Sequence, residues 1–178
     1  MHRLFVAIRP PPDIREQLLD LMEGVKGARW QDDDQLHLTL RFIGEVDTRI
    51  AEDVAAALGT VRQAPMTIAL DGLGTFGKRG NVNALWAGVR PHDALAHLHR
   101  KIDHALGRAG LNPERRAYLP HITLARLGRE AGAIEPFLAR HAGLSSDPFD
   151  IAHFALFESH LGHAAAAYTV VERYEFGA

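Results

Sequence analysis

The octapeptide HLTLRFIG, His37 to Gly44, recurs 84 residues later as HITLARLG, His121 to Gly128. Four of the eight positions are identical in register: the histidine, the threonine, the leucine and the glycine. Both copies read as strands headed by a histidine. A repeat of one strand at about half the chain's length is compatible with a duplicated architecture, each half contributing one His-x-Thr strand. Approximate two-fold symmetry between the halves would bring the two His–Thr pairs together across a cleft.

The remaining elements fit that plan. RLFVAIR (3–9) is an apolar strand bounded by prolines. Pro10 to Pro12 and Asp13 start a helix with Ile14, Leu18, Leu21, Met22 and Val25 near a 3.6-residue period, and Gly24 and Gly27 help to close it. ARWQDDDQ (28–35) reads as an edge strand and a polar turn. Asp47 caps a helix predicted through about Arg62. Strands follow at 66–76 and 83–90, joined through GKRGN. A helix runs from about His92 to Ala109 on a stripe of Leu95, Leu98, Ile102, Ala105 and Leu106, and Gly110 ends it. After the second His-x-Thr strand come a short helix near Ile134 to Arg140 and a hairpin of 149–159 with 166–176. The expected class is α+β, with mostly antiparallel sheets. One domain is expected over 1–178, built of two interleaved lobes.

Composition narrows the chemistry. There is no cysteine, which excludes disulfides, zinc–thiolate sites and thiol nucleophiles. That absence fits a reducing cytosol, and a cytoplasmic location is expected. Hydrophobic residues make up 47% of the chain, so a packed core is expected. The apolar run near the N-terminus is broken by Arg9 and three prolines, too short for a secretory signal or a membrane span. A net charge of −2 opposes broad non-specific binding to nucleic acid but leaves room for a small nucleotide site. No exposed apolar stripe stands out, so a monomer is expected.

Strand geometry gives the repeat its chemical meaning. Successive side chains alternate faces. Leu38, Leu40 and Phe42 should pack, while His37, Thr39 and Arg41 share the opposite face. In the second copy Ile122 and Leu124 pack, while His121 and Thr123 face away. Each copy then presents an imidazole and a hydroxyl roughly 7 Å apart. Two imidazoles flanking one ligand can serve as general base and general acid. Two hydroxyls can donate to phosphoryl oxygens. Neither role needs a metal or another cofactor. A lone strand histidine is more often structural than catalytic; the coincidence of two is what carries the functional reading.

The sequence resembles the 2H phosphoesterase superfamily, defined by two H-x-T/S-x motifs, and within it the RNA 2′,3′-cyclic phosphodiesterases, also called 2′-5′ RNA ligases. The resemblance runs from RLFVAI through RWQDDDQLHLTLRFIGEV, LDGLGTFGKRGNVNALWAGV and PHITLAR to FALFES. It implies a bilobal α+β fold of two pseudo-symmetric lobes, with outer helices and a central cleft. It implies opening of an RNA 2′,3′-cyclic phosphate to a 2′-phosphate without metal, with the 3′-oxygen leaving, and the reverse 2′-5′ ligation as a side activity. His37 and His121 match the catalytic histidines, Thr39 and Thr123 the phosphate-holding hydroxyls, and Arg126 an arginine that contacts phosphate. The sequence leaves open which histidine is the acid. The same chemistry on a small cyclic nucleotide, ADP-ribose cyclic phosphate or a 2′-5′ oligonucleotide also fits, as does non-catalytic binding of RNA ends.

Several residues carry competing readings. Strict alternation puts Arg126 on the packing face unless a bulge intervenes, whereas Arg41 has the parity for the cleft. Phe5 could stack on a base or fill the core beside Val6 and Ile8. Lys78 and Arg79 could touch an RNA backbone, and Arg115 and Arg116 could line the cleft mouth, or either pair could simply be solvated. His92, His97, His99 and His104 read as a polar helix face, and neither His97 with His104 nor His160 with His163 makes a convincing metal motif. Trp30 and Trp86 are expected to pack, and LFES and Tyr168 to form scaffold for the last hairpin.

Overall fold

The computed structural model describes residues 1–78, 80–162 and 165–177. Arg79 and His163 lie outside the described residues. The first half opens with β1 (His2–Ile8), α1 (Pro12–Asp20) and the two-residue β2 (Arg29–Trp30). A 3-10 turn (Asp33–Gln35) then leads into β3 (Leu38–Val46) and α2 (Thr48–Leu58). The long strand β4 (Met66–Lys78) crosses to the second half, which begins with β5 (Asn81–Arg90) and α3 (His92–Arg108). There follow β6 (His121–Arg126), α4 (Glu135–His141), β7 (Phe149–Ile151), β8 (His153–His160) and β9 (Ala167–Glu175). The succession β1–α1–β3–α2 is thus echoed by β5–α3–β6–α4.

All strand pairs are antiparallel, in the order β7-β4-β5-β6-β3-β1-β8-β9, with β2 added beside β6. Reading this order from either end meets equivalent strands, and the two halves join where β6 meets β3. The junction is one pair, Leu38 opposite Ile122. Both side chains are fully buried. The core under the sheet is built from Leu4, Val6, Leu38, Leu40, Leu85, Leu98, Ile102 and their neighbours, and α3 packs on β3. Phe5, Ala7, Ala155 and Phe157 form a second, smaller cluster on the other side of β1 and β8.

Three expectations need correction. The first helix ends at Asp20, because Gly24 takes a positive φ of 86° and the chain bends away; Leu21 and Val25 still bury. The second stops at Leu58, where the Thr60 hydroxyl donates to the Ala57 carbonyl at 2.7 Å; its expected cap, Asp47, accepts from the Ile50 amide at 2.8 Å. The stretch 149–159 is two strands. Its first part, β7, pairs with β4 at one end of the sheet, while β8 pairs with β1 and β9 toward the other. Since only Ala152 separates them, the two ends must approach each other. The sheet is therefore curled into a half-barrel. No helix among the described residues is long and apolar enough to cross a membrane.

Candidate active site

The junction of β3 and β6 sets the geometry of the site. In an antiparallel pair, Leu38 opposite Ile122 sets His37 across from Thr123 and Thr39 across from His121. Leu38 and Ile122 point into the core, so these four side chains point the other way. Residues opposite each other across the two strands have Cβ atoms about 5 Å apart and diagonal ones about 7–8 Å. The two histidines occupy one diagonal and the two threonines the other.

Over this square lies a cleft of about 240 Å³. His37, Thr39, Thr123 and Arg126 line it together with Arg3, Phe5, Gln31, Phe42 and Tyr168. His121 stands outside the lining set, half-buried against Phe76 and Trp86, with ring centroids at 4.8 and 5.7 Å.

The conflict over the arginines is resolved by two matched bulges. In β3, Thr39 pairs with Ala7 and Arg41 with Val6, so Leu40 is skipped. In β6, Thr123 pairs with Trp86 and Ala125 with Leu85, so Leu124 is skipped. Each bulge reverses the parity beyond it. Arg126 therefore reaches the cleft, and so does its counterpart Phe42, which is 47% exposed. Arg41 turns inward and does not line the cleft. It is only 9% exposed and donates to Asp103 at 2.9 Å and to the Asn112 carbonyl at 2.6 Å. The expected cleft role of Arg41 is thus corrected.

A bulge leaves carbonyls without ladder partners. At the second motif, the Gln31 amide donates to Leu124 at 2.8 Å. At the first, side chains do this work. The Tyr118 hydroxyl donates to the Thr39 carbonyl at 3.0 Å, and His99 Nδ1–H donates to the Leu40 carbonyl at 2.6 Å. The two rings stack with centroids 4.5 Å apart. His99 is buried, not on a solvated helix face as expected. Its spacing from Leu95, Leu98 and Ile102 on the apolar stripe was the available signal. Tyr118→Phe is expected to lower kcat about tenfold with KM little changed, by letting the first motif shift, and to cost about 1–3 kcal/mol of stability for the orphaned carbonyl. Steady-state kinetics with urea titration checks both; a change confined to stability would remove Tyr118 from the site.

The two imidazoles sit in different surroundings. The His37 ring is 6% exposed, packed edge-on to Phe5, Phe157 and Tyr168 at 5.9, 4.6 and 5.4 Å. Neither ring nitrogen has a hydrogen-bond partner among the described residues. Burial pushes its pKa down to about 4, against the upward pull of the Gln35 backbone, and Arg9 and Arg15 add to the lowering. His121 is also held below the ordinary histidine value, by burial first and then by Arg126. Its Nδ1–H donates to the Leu119 carbonyl at 2.7 Å, leaving Nε2 as the basic nitrogen of the neutral ring.

Phe5 lines the cleft but stacks on Phe157 at 5.2 Å, so it is a floor under His37 rather than a free stacking surface. Tyr168, expected as scaffold, lies in the cleft wall beside both, and burial raises its hydroxyl pKa. Trp30 and Trp86 pack as expected, against Phe137 and Phe76. Lys78, Arg115 and Arg116 are exposed and outside the cleft lining. Among the described residues, no three His, Asp or Glu side chains gather in reach of one metal ion.

Comparison with known proteins agrees with this architecture. The 2′-5′ RNA ligase superfamily profile matches residues 10–163. The chain belongs to the 2′-5′ RNA ligase superfamily. Among superfamily relatives, an RNA 2′,3′-cyclic phosphodiesterase of Escherichia coli is 32% identical over 176 residues, covering 97% of this chain and 95% of the relative. One from Geobacillus stearothermophilus is 31% identical over 134 residues, 74% of this chain, which spans 43% of that longer relative. A solved phosphoesterase superposes with TM-score 0.81 at 28% identity over 98% of both chains. E. coli LigT with NADP+ bound gives 0.79 at 28% identity over 98% of this chain and 97% of its own.

Proposed function

We propose that this protein opens the 2′,3′-cyclic phosphate at RNA ends to a 2′-phosphate, with His37 and His121 as the acid–base pair. The observation that supports this most is the junction pair Leu38–Ile122, from which the square of two imidazoles and two hydroxyls follows. Thr39 and Thr123 hydroxyls donate to the non-bridging oxygens, and the Arg126 guanidinium offsets their charge. One imidazole takes a proton from water as the water oxygen bonds to phosphorus. The P–O3′ bond breaks, and the other imidazole delivers a proton to O3′. A 5′-hydroxyl in place of water gives a 2′-5′ diester by the same displacement, which is the ligation the family is named for. The relatives named as RNA 2′,3′-cyclic phosphodiesterases, and E. coli LigT structures holding 3′-AMP and NADP+, support a nucleotide-bearing substrate.

The test is hydrolysis of an RNA oligonucleotide ending in a 2′,3′-cyclic phosphate, with EDTA present. Wild type is expected to release a 2′-phosphate. His121→Ala is expected to lose about 10²–10⁴-fold in kcat. Release of a 3′-phosphate would reverse the leaving group, and full turnover in the variant would remove His121 from the chemistry.

A further inference from the structure

We propose that Arg29 and Arg126 together hold two successive phosphates, so that the preferred substrate is an oligonucleotide end rather than a mononucleoside cyclic phosphate. This rests on the functional reading above and specifies its substrate. Arg29 stands directly opposite Arg126 in the β2–β6 pair. The next row, Trp30 opposite Ala125, points to the core: Ala125 is fully buried and Trp30 packs on Phe137. By alternation, the Arg29–Arg126 row points the other way, where Arg126 lines the cleft. Gln31, two residues along the chain from Arg29, lines the same cleft. Register with β6 and alternation along β2 thus set Arg29 on the same side of the sheet as the cleft, outside the residues that line it.

Two like charges directly opposite in a sheet destabilise it, with Cβ atoms about 5 Å apart. Arg9 and Arg15 are paired with Asp33 and Arg41 with Asp103, whereas Arg3, which also lines the cleft, makes no ion pair among the described residues. Among the described residues, neither Arg29 nor Arg126 makes an ion pair. Of the acidic residues that follow β2 in the chain, Asp32 accepts from the Gln35 amide and Asp33 binds Arg9 and Arg15. An unpaired cationic pair, one member of which lines the cleft, is what an anion with two charge centres would complete. The terminal nucleotide of an RNA chain carries the cyclic phosphate on one side and a 5′-phosphodiester on the other. With the cyclic phosphate at Arg126, Arg29 stands one strand further out to meet the second. A mononucleoside cyclic phosphate has nothing for Arg29 to hold.

The experiment compares adenosine 2′,3′-cyclic phosphate with an RNA pentamer ending in the same cyclic nucleoside, for wild type, Arg29→Gln and Arg126→Gln. Arg29→Gln is expected to lose about tenfold in kcat/KM on the pentamer and less than twofold on the mononucleoside. The salt dependence of kcat/KM on the pentamer should become shallower by about 0.7 in log–log slope, one single-strand phosphate contact. Arg126→Gln should lose activity on both substrates. Equal loss on both substrates for Arg29→Gln, or no loss on the pentamer, overturns the proposal. Fluorescence anisotropy with a labelled pentamer ending in a 2′-phosphate reads binding without turnover. There Arg29→Gln must weaken affinity at least fivefold. Absence of hydrolysis by wild type would refute the functional reading, and the anisotropy result would still decide the role of Arg29.

Discussion

His37→Leu is expected to yield a protein more stable than wild type and about 10²–10⁴-fold less active. The ring of His37 is enclosed by Phe5, Phe157 and Tyr168, and among the described residues neither nitrogen reaches a partner at hydrogen-bond distance, the Gln35 backbone being the nearest polar group to act on it. Burying such a group without hydrogen bonds costs about 1–3 kcal/mol, and a leucine avoids that cost. The pH dependence gives a sharper signature. The folded pKa of about 4 lies below the ordinary 6.5, so the unfolded chain binds a proton that the folded one refuses. The folded state keeps its full stability above about pH 6.5 and loses it as pH falls toward 4, by up to roughly 3 kcal/mol from this residue. Urea titrations of wild type and variant at pH 7.5 and 4.5 measure the difference. The gap between the proteins should widen at the lower pH; a constant gap would mean that His37 is not held neutral by its surroundings.

Asp103→Ala is expected to be among the most damaging substitutions outside the core, costing about 3–5 kcal/mol. It strands the Arg41 guanidinium, which is 9% exposed and makes no other ion pair among the described residues. Asp103 also accepts from the Glu114 amide at 3.1 Å, so its loss frees the segment that carries Tyr118. The double variant Arg41→Met, Asp103→Leu removes both charges and should recover most of the stability. Denaturant midpoints of the single and double variants test this. If the single change costs under about 1 kcal/mol, the pair is solvated in solution and the burial argument fails.

The duplicated strand made the pseudo-symmetric fold legible, because the period and the caps of the other elements agreed with it. His37, Thr39, His121 and Thr123 could be placed on one face by alternation alone. Alternation failed one residue later, at both bulges. A bulge is decided by the partner strand, here the Val6–Ala7 and Leu85–Trp86 steps, and nothing in LTLRF or ITLAR announces it. Arg41 and Arg126 exchanged their expected places for that single reason. His99 was obscured differently. A histidine among four on one helix looks solvated, and only the unpaired Leu40 carbonyl beneath it explains why it is buried. Tyr168 was missed because its neighbours in the cleft come from β1 and the end of the 3-10 turn, far away in sequence.

The passage from β7 to β8 through Ala152 bears on how the chain assembles. β1 near the start of the chain is flanked on one side by β8, and His2 meets Glu158 at 2.7 Å across 156 residues of sequence. The hairpin of β4 and β5 can form from local contacts early. The first half has a complete sheet only when the last third of the chain arrives, and the same short segment then adds a strand to each half of the sheet. Such a topology has high contact order, so closure of the half-barrel is expected to be slow and to come last. Until then the strand that supports His37 lacks one neighbour, so the square of histidines and threonines and the finished fold should appear in a single late step.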